Sequence, residues 1–239
     1  MKIGIVQTRG LGDVVIAVPL AMWYADRGCE VLWPIDSEFI PSFAFAFPKI
    51  SFLPVDKAVH GANSAAYFME YPRAILSHLG CDKQFVLYSN LSGYDLGNPR
   101  IRASFGFDRY KYAVGGVPFS EKWKFSPRRN PLREADLFHK LDLKPGDDYV
   151  VLHEEGSNFR FDVLTVAPGL AGKRIIRIAP LTDNVFDWLG VLEHASQAFL
   201  IDSVYANIVD QMGLIADKTL ILRSLIGDTP IFQSNWKYM

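Results

Sequence analysis

Short apolar runs alternate with longer apolar stretches along the chain, and polar turn residues separate them. Ile3-Gly4-Ile5-Val6 has no polar position, the pattern of a strand buried on both faces. Val14 to Ala25 is too long for a strand and predicts a helix, in which Pro19 removes a backbone donor and should introduce a kink. Glu30 to Pro34 and Ile50 to Val55 predict two more strands, with Asp36 or Ser37 capping a short helix between them through Phe43 to Phe47. Asn63 or Ser64 caps a helix to about Leu79, which Pro72 divides and Gly80 ends. Gln84 to Tyr88 predicts a fourth strand, and Ser89 to Gly116 fits a helix or loop followed by a short edge strand.

The pattern restarts at Tyr149. Strands are predicted at Tyr149 to His153, Arg174 to Ala179, Ala198 to Ile201 and Leu220 to Leu222. Between them lie an irregular helix within Phe161 to Leu170 and a helix over Asn184 to Ala195, capped by Thr182 or Asp183. A third helix follows Ser203, with Val204, Ile208 and Met212 on one stripe and Gly213 as its stop. Trp236 and Tyr238 suit a tail packed on a surface. Strand and helix alternation of this kind predicts an α/β protein with parallel sheets, in two halves. The halves are 1–115 and 148–239, and 116–147 reads as the linker.

Within that linker, Lys122, Lys124, Arg128, Arg129 and Arg133 fall in a stretch with no acid, interleaved with Trp123 and Phe125. It reads as a solvated linker, or as a local basic patch facing an anionic ligand. Formal net charge is -1, so no overall field draws the chain to nucleic acid or to an anionic membrane. Cys29 and Cys81 form no CxxC and join no Cys/His cluster, so neither a disulfide framework nor a structural zinc site is expected. The start shows no signal-peptide pattern, and no apolar run is long enough to span a bilayer. A cytoplasmic protein is therefore expected, with peripheral membrane contact at most.

In α/β sheets ligands gather beyond the carboxyl ends of the strands. Three loops take that position: Thr8 to Asp13, His153 to Arg160, and Asp202-Ser203. Arg9, Gly10 and Gly12 make the first a tight turn that a ligand can approach closely. Asp13 falls where a helix N-cap is expected, and reads either as that cap or as a carboxylate held at the mouth of a cleft. Ser203 can cap its helix or offer the helix amides to a phosphate, and Arg160 can add a bidentate contact or be a surface arginine. His153, beside Glu154 and Glu155, lacks the second His or Cys that a metal site would want. No DxD pair, GxSxG elbow or GxxxxGK[ST] loop occurs. The first loop lacks a full GxGxxG, which disfavours a nicotinamide-dependent oxidoreductase.

Gly10-Leu11-Gly12-Asp13-Val14-Val15 with Pro19-Leu20 resembles the opening of the heptosyltransferase-like glycosyltransferases, family 9. Gln84 to Tyr88 and Arg100 to Phe107 look like the same family's first half, and Val150 to His153 with its polar loop like the strand leading to the donor phosphates. Ile201-Asp202-Ser203 resembles its Asp-Thr/Ser-Gly-x-x-His element, with Val204 in place of the glycine and Asn207 in place of the histidine. The resemblance implies a GT-B fold, two Rossmann-like domains facing across a cleft. The first would bind a saccharide or glycolipid acceptor and the second a nucleotide-diphosphate sugar, an ADP-sugar above all. It implies inverting transfer of a sugar such as heptose, in lipopolysaccharide or other glycan synthesis, with no metal and no cofactor. Asp13 would be the base, and Ser157, Arg160, Asp202, Ser203 and Asn207 would bind the donor. The shortness of the chain and the two altered positions leave a second reading, a catalytically inactive nucleotide- or sugar-binding protein on the same scaffold.

Overall fold

The structure, a computed structural model, describes residues 1–61, 64–88, 106–156, 159–170, 172–222, 229–233 and 235–239. They form two compact units, Met1–Ser126 and Pro127–Met239.

In the first unit, β1 (Lys2–Val6), β2 (Glu30–Asp36), β3 (Ile50–Val55) and β4 (Lys83–Val86) form a parallel sheet in the order β3-β2-β1-β4. Ile3 to Val6 are all buried, as the unbroken apolar run requires for a strand covered on both faces. The helix Leu11–Ala25 begins three residues earlier than its apolar run and continues through Pro19. Pro72 does divide its segment: a π-helical turn, Ala66–Glu70, gives way to the helix Tyr71–His78. Of the stretch expected to end in an edge strand, 89–105 lies outside the described residues, and Phe107–Gly115 is a helix instead. That helix lies tight against the first one. A Cβ on Gly115 would stand 2.6 Å from Leu20 Cδ1, and the Tyr24 and Tyr112 hydroxyls donate to the carbonyls of Gly115 and Ile16.

The second unit has β5 (Val150–His153), β6 (Ile175–Arg177), β7 (Gln197–Ile201), β8 (Asp217–Ile221) and β9 (Lys237–Tyr238), parallel throughout, in the order β6-β5-β7-β8-β9. Val150, Leu152, Phe199, Ile201 and Ile221 form one buried cluster of its core with Val163 and Leu170. The tail is a strand as well as a surface segment. Trp236 is buried, donates to Asp210 Oδ1 at 2.9 Å, and so brings β9 alongside β8. The cap of the segment after β6 is Asn184, whose side chain accepts from the Phe186 amide. It opens a 3-10 turn, Val185–Trp188, before the helix Leu189–His194.

The stretch read as a linker carries elements of both units. Phe119–Lys124 is a 3-10 helix in the first, and Pro131–Lys140 a helix in the second. Four of its cations pair with acids. Lys122 is sealed against Asp108 at 2.7 Å with neither side chain exposed, and Lys124 meets Glu121. Arg129 pairs with Glu134 and Glu193, and Arg133 with Asp183 and Asp187. Lys124, Arg129 and Arg133 remain solvent-accessible in these pairs, as the solvated reading expects, whereas Lys122 is fully buried. Burial of Lys122 has a physical reason: its ammonium sits beside the Phe119 and Trp123 rings, and the buried Asp108 carboxylate supplies its counter-charge.

Candidate functional site

Ligand crevices in open parallel sheets form where the strand order reverses. In the first unit that point lies between β1 and β4, because β2 and β3 succeed β1 on one side and β4 returns to the other. The chain leaving β1 there is Gln7-Thr8-Arg9-Gly10, and the chain leaving β4 brings Leu87 and Tyr88. Tyr88 hydroxyl accepts from the Thr8 amide at 2.7 Å and the Arg9 amide at 3.4 Å, tying the two together. Burial pushes the Tyr88 phenol up to about 12, so it keeps its proton at neutral pH. Thr8 itself is buried and its carbonyl accepts from the Asp36 amide.

Gly10, not Asp13, is the N-cap of the helix Leu11–Ala25, and its φ of 82° lies in the left-handed region. Asp13 is the third helical residue. A left-handed glycine turns the chain so sharply that the helix starts earlier than its apolar run suggests. The Asp13 carboxylate folds back over the turn: a Cβ on Gly10 would lie 2.5 Å from Oδ2. The other oxygen, Oδ1, is 2.8 Å from Lys111 Nζ. Lys111 side chain is 2% exposed and Asp13 27%, so the acid reaches the surface and the ammonium does not. Lys111 also donates to Gln7 Oε1 at 2.8 Å and to the Leu87 carbonyl at 3.1 Å. Gln7 is oriented in turn by donating to the Arg9 carbonyl at 2.8 Å. Arg9 and Gly12 flank the carboxylate, both half-buried. At Gly10, alanine would be strained by the left-handed backbone and would collide with Oδ2. Gly10→Ala is therefore expected to cost about 1–2 kcal/mol, read as a lower urea midpoint, since left-handed geometry alone costs an L-residue about that much.

In the second unit the order reverses between β5 and β7. His153 ends β5 and Asp202-Ser203 follow β7. Ser203 is the N-cap of the helix Val204–Met212, but its hydroxyl makes no capping bond. It meets His153 Nδ1 at 2.9 Å instead, and the His153 ring packs edge-on against Tyr205. The Ser203 side chain thus leaves the first-turn amides uncapped, at the positive end of the helix dipole. Asp202 is buried, and its amide bonds to the Ile221 carbonyl. Asn207 donates to the Ser203 carbonyl at 2.8 Å, which steadies the first turn, while its Oδ1 is buried with no partner among the described residues.

The other donor-site candidates fall elsewhere. Ser157 lies outside the described residues; Arg160 is exposed on the other side of β5, where it forms an antiparallel bridge with Glu155. It lines a cleft of about 610 Å³ between the ends of β5 and β6, with Phe161, Arg177 and Ile178. Among the described residues the structure thus brings together His153, Ser203 and Asn207, and sets Arg160 apart from them. Three residues of these sites were not singled out from sequence for such roles: Lys111, Gln7 and Tyr88. The one available signal was at Lys111, which takes the apolar stripe position between Phe107 and Val114. The sequence places His153 at the head of a ligand-facing loop but does not report its contact with Ser203. Among the described residues no group of three or more His, Cys, Asp or Glu side chains is placed to hold a metal ion, and no helix is long and apolar enough to cross a membrane.

No family model and no curated protein matches the chain. Solved structures do. A glycosyl transferase family 9 protein from Veillonella parvula superposes with a TM-score of 0.63 at 10% identity, over 100% of this chain and 86% of that one. The fold is that of these glycosyltransferases. E. coli heptosyltransferase WaaC, solved with ADP-2-deoxy-2-fluoro heptose, gives 0.58 at 13% identity over 100% and 93% of the two chains. The iron-containing dodecameric glycosyltransferase TibC from enterotoxigenic E. coli gives 0.55 at 15%, over 98% of this chain and 61% of its own.

Proposed function

We propose that the chain is an inverting glycosyltransferase that moves a sugar, heptose in the first instance, from an ADP-sugar to a saccharide hydroxyl without a metal. The observation that carries the reading is the Asp13 carboxylate, anchored by a buried ammonium at the switch point of a sheet that shares its fold with glycosyltransferases. The first unit takes the acceptor and the second the donor. Asp13 removes the acceptor proton, the freed oxygen attacks the anomeric carbon, and the bond from that carbon to the diphosphate breaks. One displacement inverts the centre. The departing diphosphate collects its negative charge against the amides that open the helix Val204–Met212, with Ser203 and His153 at the same edge. Arg160 is the cation available to an extended donor from the other side of β5.

A non-catalytic nucleotide- or sugar-binding protein is the second reading. Val204 and Asn207 favour it, since the resemblance implies glycine and histidine there. Incubation with ADP-heptose and a panel of other nucleotide-diphosphate sugars, with saccharide acceptors, separates the two. Release of free nucleotide is the expected result. Binding across the panel with no release would establish the second reading.

A further inference from the structure

Resting on the reading of Asp13 as the base, we propose that Lys111 is the positioning residue of the reaction. Its sealed ammonium holds Asp13 Oδ1 and leaves Oδ2 as the oxygen that takes the proton. An ammonium has three N–H donors. Those of Lys111 meet three acceptors, Asp13 Oδ1, Gln7 Oε1 and the Leu87 carbonyl. No donor remains for a substrate, and at 2% exposure the side chain does not reach one. Whatever Lys111 does for the chemistry it does through Asp13.

The geometry is that of a clamp. On one side Lys111 fixes Oδ1, and on the other Oδ2 lies over Gly10, in space that only a glycine leaves open. Gln7 and Leu87 leave the ends of β1 and β4, so the anchor of the clamp is the sheet itself. Phe107, one helical turn before Lys111, covers the ammonium with its ring at 4.9 Å. The proton balance is simple. The acceptor hydroxyl gives its proton to Oδ2, Lys111 keeps all three of its own, and the neutral carboxyl still accepts from Nζ at Oδ1.

The test is a double-mutant cycle on ADP release from ADP-heptose, with water as the acceptor: wild type, Lys111→Met, Asp13→Asn and the pair. Lys111→Met is expected to lower kcat about 10²-fold with the donor KM unchanged, the cost of about 1 Å of misplacement. Added to Asp13→Asn it should cost nothing more. A residue that only supports the fold would multiply its loss onto that of Asp13→Asn, and this outcome overturns the proposal. Should Lys111→Met not fold, Lys111→Gln, which keeps an N–H toward Asp13, carries the same cycle with a smaller kcat loss. Wild-type kcat in a Lys111 variant beside an inactive Asp13→Asn overturns the clamp alone. Full turnover in Asp13→Asn, or no release by the wild type from any donor of the panel with saccharide acceptors present, removes the base reading and the clamp with it.

Discussion

Asp13→Asn is expected to lower glycosyl transfer by about 10²- to 10⁴-fold, the usual contribution of a positioned general base, while leaving the affinity for ADP unchanged. Asparagine is the informative substitution. It keeps an oxygen that accepts from Lys111 Nζ and keeps the shape that lies over Gly10, but it has no basic carboxylate. Alanine would remove the base too, yet would leave an ammonium with 2% exposure facing empty space, and the loss would mix catalysis with folding. Isothermal titration with ADP and initial rates of transfer, on the same preparation, check the two halves of the prediction. A fall in ADP affinity as large as the fall in rate would move Asp13 from the acceptor side to the donor side. Unchanged turnover would end its role as base.

The outline of the fold was legible because strands covered on both faces leave little room for polar positions, as the buried run Ile3 to Val6 shows. The apolar runs locate β1, β2, β5, β7 and β8 to within a few residues, and Ile50 to Val55 matches β3 residue for residue although that edge strand is only partly buried. The last strand was not legible. Lys237–Tyr238 is too short and too polar to signal itself, and it exists because Trp236 is held by Asp210 on another element. The candidate site divides the same way. The turn between β1 and its helix announces itself through Gly10 and Gly12, but the identity of the cap depends on a backbone angle at Gly10 that composition does not encode. Lys111 finds its acceptors 24 and 104 residues away, at Leu87 and Gln7, and no local pattern reports a contact of that range. Ser203 read correctly as an N-cap position, whereas its hydroxyl turns to His153, which lies 50 residues earlier and meets it only through β5–β7 pairing.

Lys122→Met is expected to destabilise the first unit by about 3–5 kcal/mol, the range for breaking a buried ion pair from one side. Lys122 and Asp108 have no exposed side-chain surface and stand 2.7 Å apart. Methionine fills much of the lysine's volume beside Phe119 and Trp123, so the loss comes from breaking the buried Lys122–Asp108 ion pair from one side. Replacing both, Lys122→Met with Asp108→Leu, should recover most of it, because an apolar pair of similar volume often matches or exceeds a buried ion pair. Guanidinium chloride midpoints of the wild type, the single and the double variants read this directly, and an unchanged midpoint for Lys122→Met would refute the assignment of the cost. The pair also bears on the chemistry. Asp108 is in the first turn of the helix that carries Lys111, so a loosened Asp108 lets the clamp on Asp13 shift with that helix. Under conditions where Lys122→Met is fully folded, its kcat should therefore fall with the donor KM unchanged, and that fall should vanish in an Asp13→Asn background.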